Sequence, residues 1–268
     1  MTNPLGLDDL LGLDQLEVLM DAAWPADERH DTAEWVLRSA SGVTQRANSV
    51  WPRHEAADRV AAAREAALWY RKRRLPVIYQ VLDDARHGSL NAMLDGLGFT
   101  RQSETLIMTR AIAAVYDEVT AAQADVPAVE ILDQPSAEWL SLWWSVDGRG
   151  GDPELKIARR ILTGCPSLYA LVRYDDGAVA AVGRLALVDG HGGIYCMATR
   201  PENRRNGYAR QVLEALLDQG RSAGVNSFWL LVMDSNPGAR MLYSQAGFVE
   251  AGRYSYRQER PKRSLNGC

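Results

Sequence analysis

Cysteine and histidine are scarce in this 268-residue chain, and neither is placed to bind a metal. The three cysteines, Cys165, Cys196 and Cys268, lie far apart, and no two of them form a C-x-x-C pair. The four histidines show neither an i, i+4 pair nor an H-E-x-x-H grouping. These spacings exclude a disulfide framework and a structural zinc site, and they give a metal-dependent mechanism no support.

An excess of positive charge and long apolar runs are also absent. The formal net charge is -4, so we expect no nucleic-acid partner, because such proteins need basic residues to neutralise phosphates. No stretch approaches the roughly 18 apolar residues of a membrane span. The acidic N-terminus has no basic lead and no signal-peptide cleavage pattern. We therefore expect a cytoplasmic protein with no membrane partner.

What the chain does contain is ordinary for a globular protein. Its residues are 47% hydrophobic and 24% charged, which does not predict disorder. The length favours two domains over one, since domains commonly have about 100 to 200 residues. Each half is therefore long enough to bury a core of its own.

The second half has the clearer pattern of secondary structure. Three apolar stretches joined by turns rich in aspartate and glycine predict an antiparallel meander. Before it we predict a strand and two helices, and after it a helix, a buried strand, a short helix and a last strand. This order predicts an α/β (α+β) fold with a mixed sheet. In chain order, the predicted elements are residues 126–132, 136–146, 152–164, 167–174, 178–189, 192–199, a helix from 208 that ends at Gly220 or Gly224, 227–233, 236–246 and 250–258.

The most informative stretch is TRPENRRNGYARQVLEALL, residues 199–217. Gly207 has no side chain to block the start of the predicted helix, and the small Ala209 lets a ligand approach its first turn. Backbone N–H groups at a helix N-terminus bind phosphate well. Taken alone, the stretch fits either a phosphate site or an ordinary start to a helix.

Two motifs and the order of elements resemble the GNAT superfamily of N-acetyltransferases. One motif is R-x-x-G-x-A at Arg204, Gly207 and Ala209, and the other is N-x-x-A-x-x-L-Y-x-x-x-G-F beginning at Asn236. The resemblance covers about residues 126–259. It implies an acyl-CoA N-acyltransferase fold, acetyl-CoA as cosubstrate, no metal, and direct attack of a primary amine on the thioester.

The first half resembles a degenerate copy of the same fold, as in actinobacterial tandem GNAT proteins. Pro52, Gly98 and Phe99 each recur 149 residues later, as Pro201, Gly247 and Phe248. We expect a degenerate GNAT-like domain at 1–112, a linker at 113–125 and a catalytic domain at 126–268. The predicted elements of the first half are strands at 33–42, 44–51, 76–82 and 101–110 and helices at 56–74 and 88–99.

The same offset predicts that the first half does not bind coenzyme A. It places Glu55 opposite Arg204, Asp58 opposite Gly207 and Val60 opposite Ala209. Two carboxylates would repel a pyrophosphate. We therefore expect a structural or substrate-gating role for this half.

The resemblance implies where the cofactor binds. Amides from Arg205 to Ala209 would hold the pyrophosphate. The strand at 192–199 would part from the next one and pair with the pantetheine arm through Met197 and Thr199, whose N–H groups would also hold the thioester oxygen. The implied cofactor residues are Met197, Ala198, Thr199, Arg204, Arg205, Asn206, Gly207, Tyr208, Ala209, Asn236 and Tyr243.

The resemblance also implies that Tyr243 is the catalytic acid, which protonates the departing thiolate. Two alternatives stay open: Tyr243 lies on an apolar helix face and would suit a core position, and Asn236 would serve equally as a helix cap. The general base is not identified. The strand at 192–199 has no carboxylate, which leaves Asp234 or a chain of waters, and Cys196 is a poor candidate for a nucleophile.

The acceptor region is predicted at the first two helices of the second half. Trp139, Trp143 and Trp144 lie there with three acidic residues, Asp147, Asp152 and Glu154. They would suit a cationic amine with an organic body, or the tryptophans are core and the acids solvated. We expect a small-molecule or peptide amine as acceptor and allow for a homodimer. The alternative function is a non-catalytic acyl-CoA-binding sensor or scaffold.

Overall fold

The computed structural model describes residues 11–112, 128–174 and 177–259. Its helices are α1 (Leu13–Ala23), α2 (Arg59–Lys72), α3 (Gly88–Gly96), α4 (Ala137–Asp147), α5 (Asp152–Leu162), α6 (Tyr208–Ser222) and α7 (Pro237–Gln245). Its strands are β1 (Glu28–Asp31), β2 (Trp35–Ser39), β3 (Val50–Pro52), β4 (Ile78–Leu82), β5 (Phe99–Ala111), β6 (Glu130–Leu132), β7 (Ser167–Arg173), β8 (Val179–Val188), β9 (His191–Thr199), β10 (Ser227–Met233) and β11 (Val249–Glu259).

The chain divides into two compact units, and each contains segments from both ends of the sequence. The C-terminal unit comprises Met1–Pro25, Ile107–Val232 and Asn236–Ala251, and the N-terminal unit comprises Ala26–Leu106, Met233–Ser235 and Gly252–Cys268. Helix α1 therefore groups with the C-terminal unit, while most of β11 groups with the N-terminal one. The domain boundaries expected from the sequence stay a prediction, because the linker at 113–125 lies outside the described residues.

The sheet of the N-terminal unit has the strand order β1-β2-β3-β4, followed by its parts of β11 and β5. Strands β1, β2 and β3 pair antiparallel, and β3 then pairs parallel with β4 through Val50 and Tyr79. Helices α2 and α3 supply the rest of the core, since their apolar side chains pack against those of the strands. The buried cluster is Trp35, Leu37, Val50, Ala56, Ala66, Tyr70, Tyr79, Val81, Leu90, Leu94 and Phe99.

The C-terminal unit contains the predicted antiparallel meander. Strands β6, β7, β8 and β9 pair antiparallel in sequence order, and β10 pairs parallel with β9. Strand β8 is buried along almost its whole length, as expected for a central strand covered on both faces. The fold class expected from the sequence is confirmed.

Helices α6 and α7 begin and end at residues that the sequence marks. The buried residues of α6, Val212, Leu213, Leu216 and Leu217, follow helical spacing, and Gly224 beyond its end has φ +73°. Asn236 caps α7 by accepting the Ala239 N–H at 3.1 Å.

Helix α1 and strand β1 are absent from the sequence-based expectations. In α1, Leu16, Leu19, Met20 and Ala23 are buried at helical spacing, a pattern that is readable in the sequence. Strand β1 reads Glu-Arg-His-Asp and is exposed throughout, so hydrophobic alternation gives no signal for it. It forms only because β2 offers an edge to pair with.

The expected strand at 44–51 is wrong over most of its length. Only its last residues, Val50 and Trp51, are extended, in strand β3. The Asn48 side chain accepts the N–H groups of Ala40 and Gly42 and donates to the carbonyls of Val43 and Thr44. An asparagine that bonds to nearby backbone in this way stabilises a loop instead of a strand.

A buried arginine ties α1 to the sheet of the C-terminal unit. Arg184 on β8 is fully buried, and its guanidinium donates to the Ala23 carbonyl at 3.0 Å and to the Ser167 hydroxyl at 3.1 Å. Its charge also lies 5.8 Å from the centre of the Trp24 ring. Hydrogen bonds and the aromatic face offset the loss of solvation of this cation.

The described part of the chain has no helix long and apolar enough to cross a membrane.

The close packing around Gly193 on β9 generates a stability prediction. A methyl group at this position would lie 2.4 Å from Trp229 Cζ2 and 2.7 Å from Tyr195 Cε2. We therefore expect Gly193→Ala to lower the free energy of unfolding by about 1 to 3 kcal/mol, measured by chemical denaturation. Gly238→Ala is the control, because its methyl group would meet nothing closer than 3.9 Å. Equal stability of both variants would contradict the packing described for β9.

Candidate active site

Strands β9 and β10 part in the middle of the C-terminal unit. Their parallel pairing joins residues 228–230 to residues 192–194, and beyond this each strand continues without a further pair to the other in the described residues. Strand β9 also has a bulge close to the point where its pairing with β10 ends. Cys196 and Met197 both lie opposite the single residue Gly183 of β8, and Cys196 has φ +54°. The parting that the family resemblance implies is therefore present.

The end of β9 directs one backbone amide into this gap. Thr199 pairs with Ala181 on β8, and the flanking Arg200 N–H donates to the Ala180 carbonyl at 3.0 Å. Such a pair exchanges no hydrogen bonds between its own two residues, so the Thr199 N–H points away from β8 towards the β10 side. Ala198 and Val182 form the neighbouring pair of the ladder, in which the Ala198 N–H and carbonyl point towards β8. The Met197 thioether packs over Gly183.

The loop after β9 leads into the uncapped start of α6. Residues 201–203 form a short 3-10 turn, and Arg205 and Gly207 have φ +68° and +84°. No side chain caps the helix, and a methyl group placed on Gly207 would meet no atom within 4 Å. Arg204, Arg205, Asn206 and Gly207 are exposed, while Tyr208 and Ala209 are half-buried. The first N–H groups of α6 and its positive dipole end are thus accessible to an anion.

The corresponding helix of the N-terminal unit, α2, is closed by its own side chain. Asp58 holds the N-cap position that Gly207 holds in α6, and its carboxylate accepts the N–H groups of Val60 and Ala61 at 3.0 and 2.9 Å. Glu55 forms an ion pair with Arg59 at 2.8 Å. The sequence suggested repulsion of a phosphate here, and the structure adds a more direct cause, because the Asp58 carboxylate occupies the amides that a phosphate would use.

Tyr243 lies on α7 at the core of the C-terminal unit. Its side chain is 7% exposed and its ring lies 6.2 Å from that of Phe248. Burial, with a smaller contribution from the Asp147 carboxylate, raises the pKa of the phenol well above its usual value, so the hydroxyl keeps its proton at neutral pH. A core position for the ring and a proton-donating hydroxyl are therefore compatible.

Asp234, the side chain considered for a general base, and the nearby polar residues Tyr195 and Asn236 have other interactions. The Tyr195 hydroxyl accepts the Trp229 indole N–H at 3.0 Å, and its ring lies 5.6 Å from that of Trp24. Asp234 groups with the N-terminal unit, where its carboxylate is 3.6 Å from Arg253. Asn236 caps α7, as the alternative interpretation expected. No cluster of potential metal ligands occurs among the residues for which the structure gives positions.

The acceptor region divides into core and surface. Trp139 and Trp143 are buried, so the core interpretation is right for them, whereas Trp144 is half-buried. Glu154 accepts the Gly151 N–H at 2.8 Å and so caps α5. Asp147 is exposed at the end of α4. Trp24, which the sequence reasoning missed, packs against Trp143 at 6.5 Å.

Comparison with solved structures identifies the fold. A GCN5-related N-acetyltransferase from Kribbella flavida has the same fold, with a TM-score of 0.70 at 14% identity over 96% of this chain and 99% of the other. A tandem GNAT protein from the clavulanic acid biosynthesis pathway superposes with a TM-score of 0.65 at 12% identity, covering 92% of this chain and 89% of that one. The chain therefore has the GNAT fold.

Sequence comparison assigns the chain to a family that is more specific than the fold. A family model described as "Probable histone acetyltransferase Rv0428c C-terminal" matches residues 13–257, and the chain belongs to this family. The chain is also 27% identical over 247 residues to the uncharacterized N-acetyltransferase YobR of Bacillus subtilis (strain 168), across 92% of this chain and 98% of that protein.

The cap of α2 can be tested by substitution. We expect Asp58→Ala to lower the free energy of unfolding by about 1 kcal/mol, because two amides lose their acceptor. Asp58→Asn keeps an acceptor oxygen and should retain most of the stability. Denaturation of the three proteins measures the difference, and equal loss in both variants would mean that the carboxylate acts through its charge and not as a cap.

Proposed function

We propose that the C-terminal unit transfers the acetyl group of acetyl-CoA to a primary amine. The observation that carries this proposal is the uncapped N-terminus of α6 at Gly207, which lies just beyond the end of the parted strand β9. The N-terminal unit, with Asp58 on the equivalent amides, does not bind the cofactor in this way and serves a structural or gating role.

The donor is held mainly by backbone. Amides from Arg205 to Ala209 receive the pyrophosphate, and the α6 dipole favours its negative charge. Arg204 and Arg205 add positive charge from exposed positions. The pantetheine arm lies along β9, where the Thr199 N–H faces the gap, and Met197 and Asn236 remain candidates for further contacts there.

The acetyl-CoA thioester supplies an activated acetyl group that an amine attacks directly. Tyr243 then gives its phenolic proton to the departing thiolate, and water returns a proton to the phenolate. The Thr199 N–H, with that of Met197, stabilises the negative charge on the thioester oxygen. Because β9 carries no carboxylate, the proton released by the amine passes to water.

The missing carboxylate on β9 also favours a second candidate function, an acyl-CoA-binding sensor or scaffold. A panel of amines with acetyl-CoA distinguishes the two when free coenzyme A is detected by a thiol reagent. Turnover with any amine supports the transferase, and tight binding without thiol release for every amine supports the sensor. A small-molecule or peptide acceptor, a homodimer and a cytoplasmic location remain predictions.

Substitution of Gly207 tests the donor site. We expect Gly207→Glu to weaken acetyl-CoA binding at least tenfold by calorimetry, because a carboxylate would lie beside the pyrophosphate. Gly207→Ala is the matched control, since it carries the same backbone strain at φ +84° without the charge. If both variants bind acetyl-CoA as tightly as the wild type, the donor does not bind at α6.

Substitution of Tyr243 tests the acid. Tyr243→Phe should lower kcat by about 10² to 10³, with little change in acetyl-CoA affinity or melting temperature, because only the proton donor is lost. Tyr79→Phe, which removes the hydroxyl of a buried tyrosine in the N-terminal unit, should leave kcat unchanged. A fall in stability matching the fall in kcat would instead assign Tyr243 a purely structural role.

A further inference from the structure

The N-terminal unit contains a polar cavity that has no part in the proposed acetyl transfer. The cavity has a volume of about 270 Å³ and lies along three neighbouring strands of the sheet, β4, β11 and β5. All eight residues that line it belong to the N-terminal unit. The volume is just below the range of sites for drug-sized ligands, so the cavity suits a smaller polar molecule.

Only half of the charged residues that line this cavity are paired. Two of them are acidic, Asp83 and Glu104, and two are basic, Arg101 and Arg253. The Arg253 guanidinium lies 3.3 Å from the Glu104 carboxylate and 3.6 Å from that of Asp234, which is not part of the lining. In the described part of the chain, neither the Asp83 carboxylate nor the Arg101 guanidinium has an ion pair or a hydrogen bond. One anion and one cation of the lining are thus available to a ligand.

The register of the sheet shows that a partner for Asp83 is close by and is used elsewhere. Strand β4 pairs antiparallel with β11, and Leu82 lies opposite Tyr254. The next residues continue this register, because the Asp83 N–H donates to the Arg253 carbonyl at 2.8 Å. Opposite charges at directly facing positions attract one another. The Arg253 guanidinium nevertheless contacts Glu104 instead, which leaves the Asp83 carboxylate for another cation.

Strand β5 is irregular where it lines the cavity. Ser103 has φ +51°, a left-handed conformation that is uncommon for a residue other than glycine. Arg101 and Glu104 are three residues apart, so a regular strand would direct their side chains to opposite faces. The irregular residue between them allows both to line the same cavity. The unpaired guanidinium of Arg101 is thereby placed at the same cavity as the unpaired carboxylate of Asp83.

We propose that this cavity binds a free α-amino acid, so that the N-terminal unit has a ligand of its own. At neutral pH such a molecule carries one ammonium group and one carboxylate. Asp83 holds the ammonium group and Arg101 holds the carboxylate, each through charge-assisted hydrogen bonds. Gln102, Ser103 and Ser255 supply donors and acceptors for a polar side chain. Because the lining has equal numbers of carboxylates and guanidinium groups, it favours a ligand without net charge over an anion or a cation.

Melting temperatures of the full chain with each of the standard amino acids, measured without acetyl-CoA, test the proposal. At about 10 mM, at least one amino acid should raise the melting temperature by about 2 °C or more, because a ligand that binds only the folded protein stabilises it. Calorimetry with that amino acid should show at least tenfold weaker binding to Asp83→Asn and to Arg101→Gln, since each variant loses a charge-assisted contact. Arg71→Gln, which changes an exposed arginine on α2 outside the cavity lining, is the matched control and should bind as the wild type.

Derivatives of the same amino acid assign each charge to its side chain. The N-acetyl derivative has no ammonium group, so it should bind equally weakly to the wild type and to Asp83→Asn, and the amide derivative, which has no carboxylate, should not distinguish the wild type from Arg101→Gln. No rise in melting temperature with any amino acid, or equal affinity of the wild type and both cavity variants, would overturn the proposal. Because acetyl-CoA is absent from these measurements, that result would leave the proposed transferase activity untouched.

Discussion

The function proposed for this chain depends on which group accepts hydrogen bonds from the first backbone N–H groups of a helix. Every α-helix begins with N–H groups that have no partner within the helix. In α2 the Asp58 carboxylate accepts two of them, whereas Gly207 at the start of α6 provides no side chain at all. One helix start is thereby closed by the protein, and the other stays accessible to a phosphate. A difference at this one position is enough to make one helix start accessible to an anion and the other not.

The rest of the C-terminal unit positions that helix start beside the gap between β9 and β10. The bulge at Cys196 and the end of β9–β10 pairing open the sheet next to Thr199. Beneath the gap, Tyr195, Trp229 and Trp24 form a buried aromatic group, and Arg184 holds the Ala23 carbonyl at its edge. Closely packed side chains thus support the residues around the gap. A site that aligns a donor and an acceptor requires such support.

Much of this architecture is readable from the sequence, because its strands and helices have strong periodicity or clear caps. The run Ser227–Met233 and the Asn236-Pro237 helix start are recovered almost residue for residue. The exposed strand β1 is not readable, since its pairing comes from a neighbour and not from its own residues. The loop at Asn48 is not readable either, because a side chain there replaces strand pairing. Within the site, Gly207 and Tyr243 follow from motifs, whereas the closure of α2 by Asp58 depends on side-chain hydrogen bonds that only the structure gives.

Hydrogen exchange of the full chain, with and without coenzyme A, tests the central claim most directly. The amides of residues 205–209 at the start of α6 should exchange more slowly when coenzyme A is bound, while those of residues 59–61 at the start of α2 should not change. Protection of residues 59–61, or no protection of residues 205–209 at saturating coenzyme A, would contradict the account.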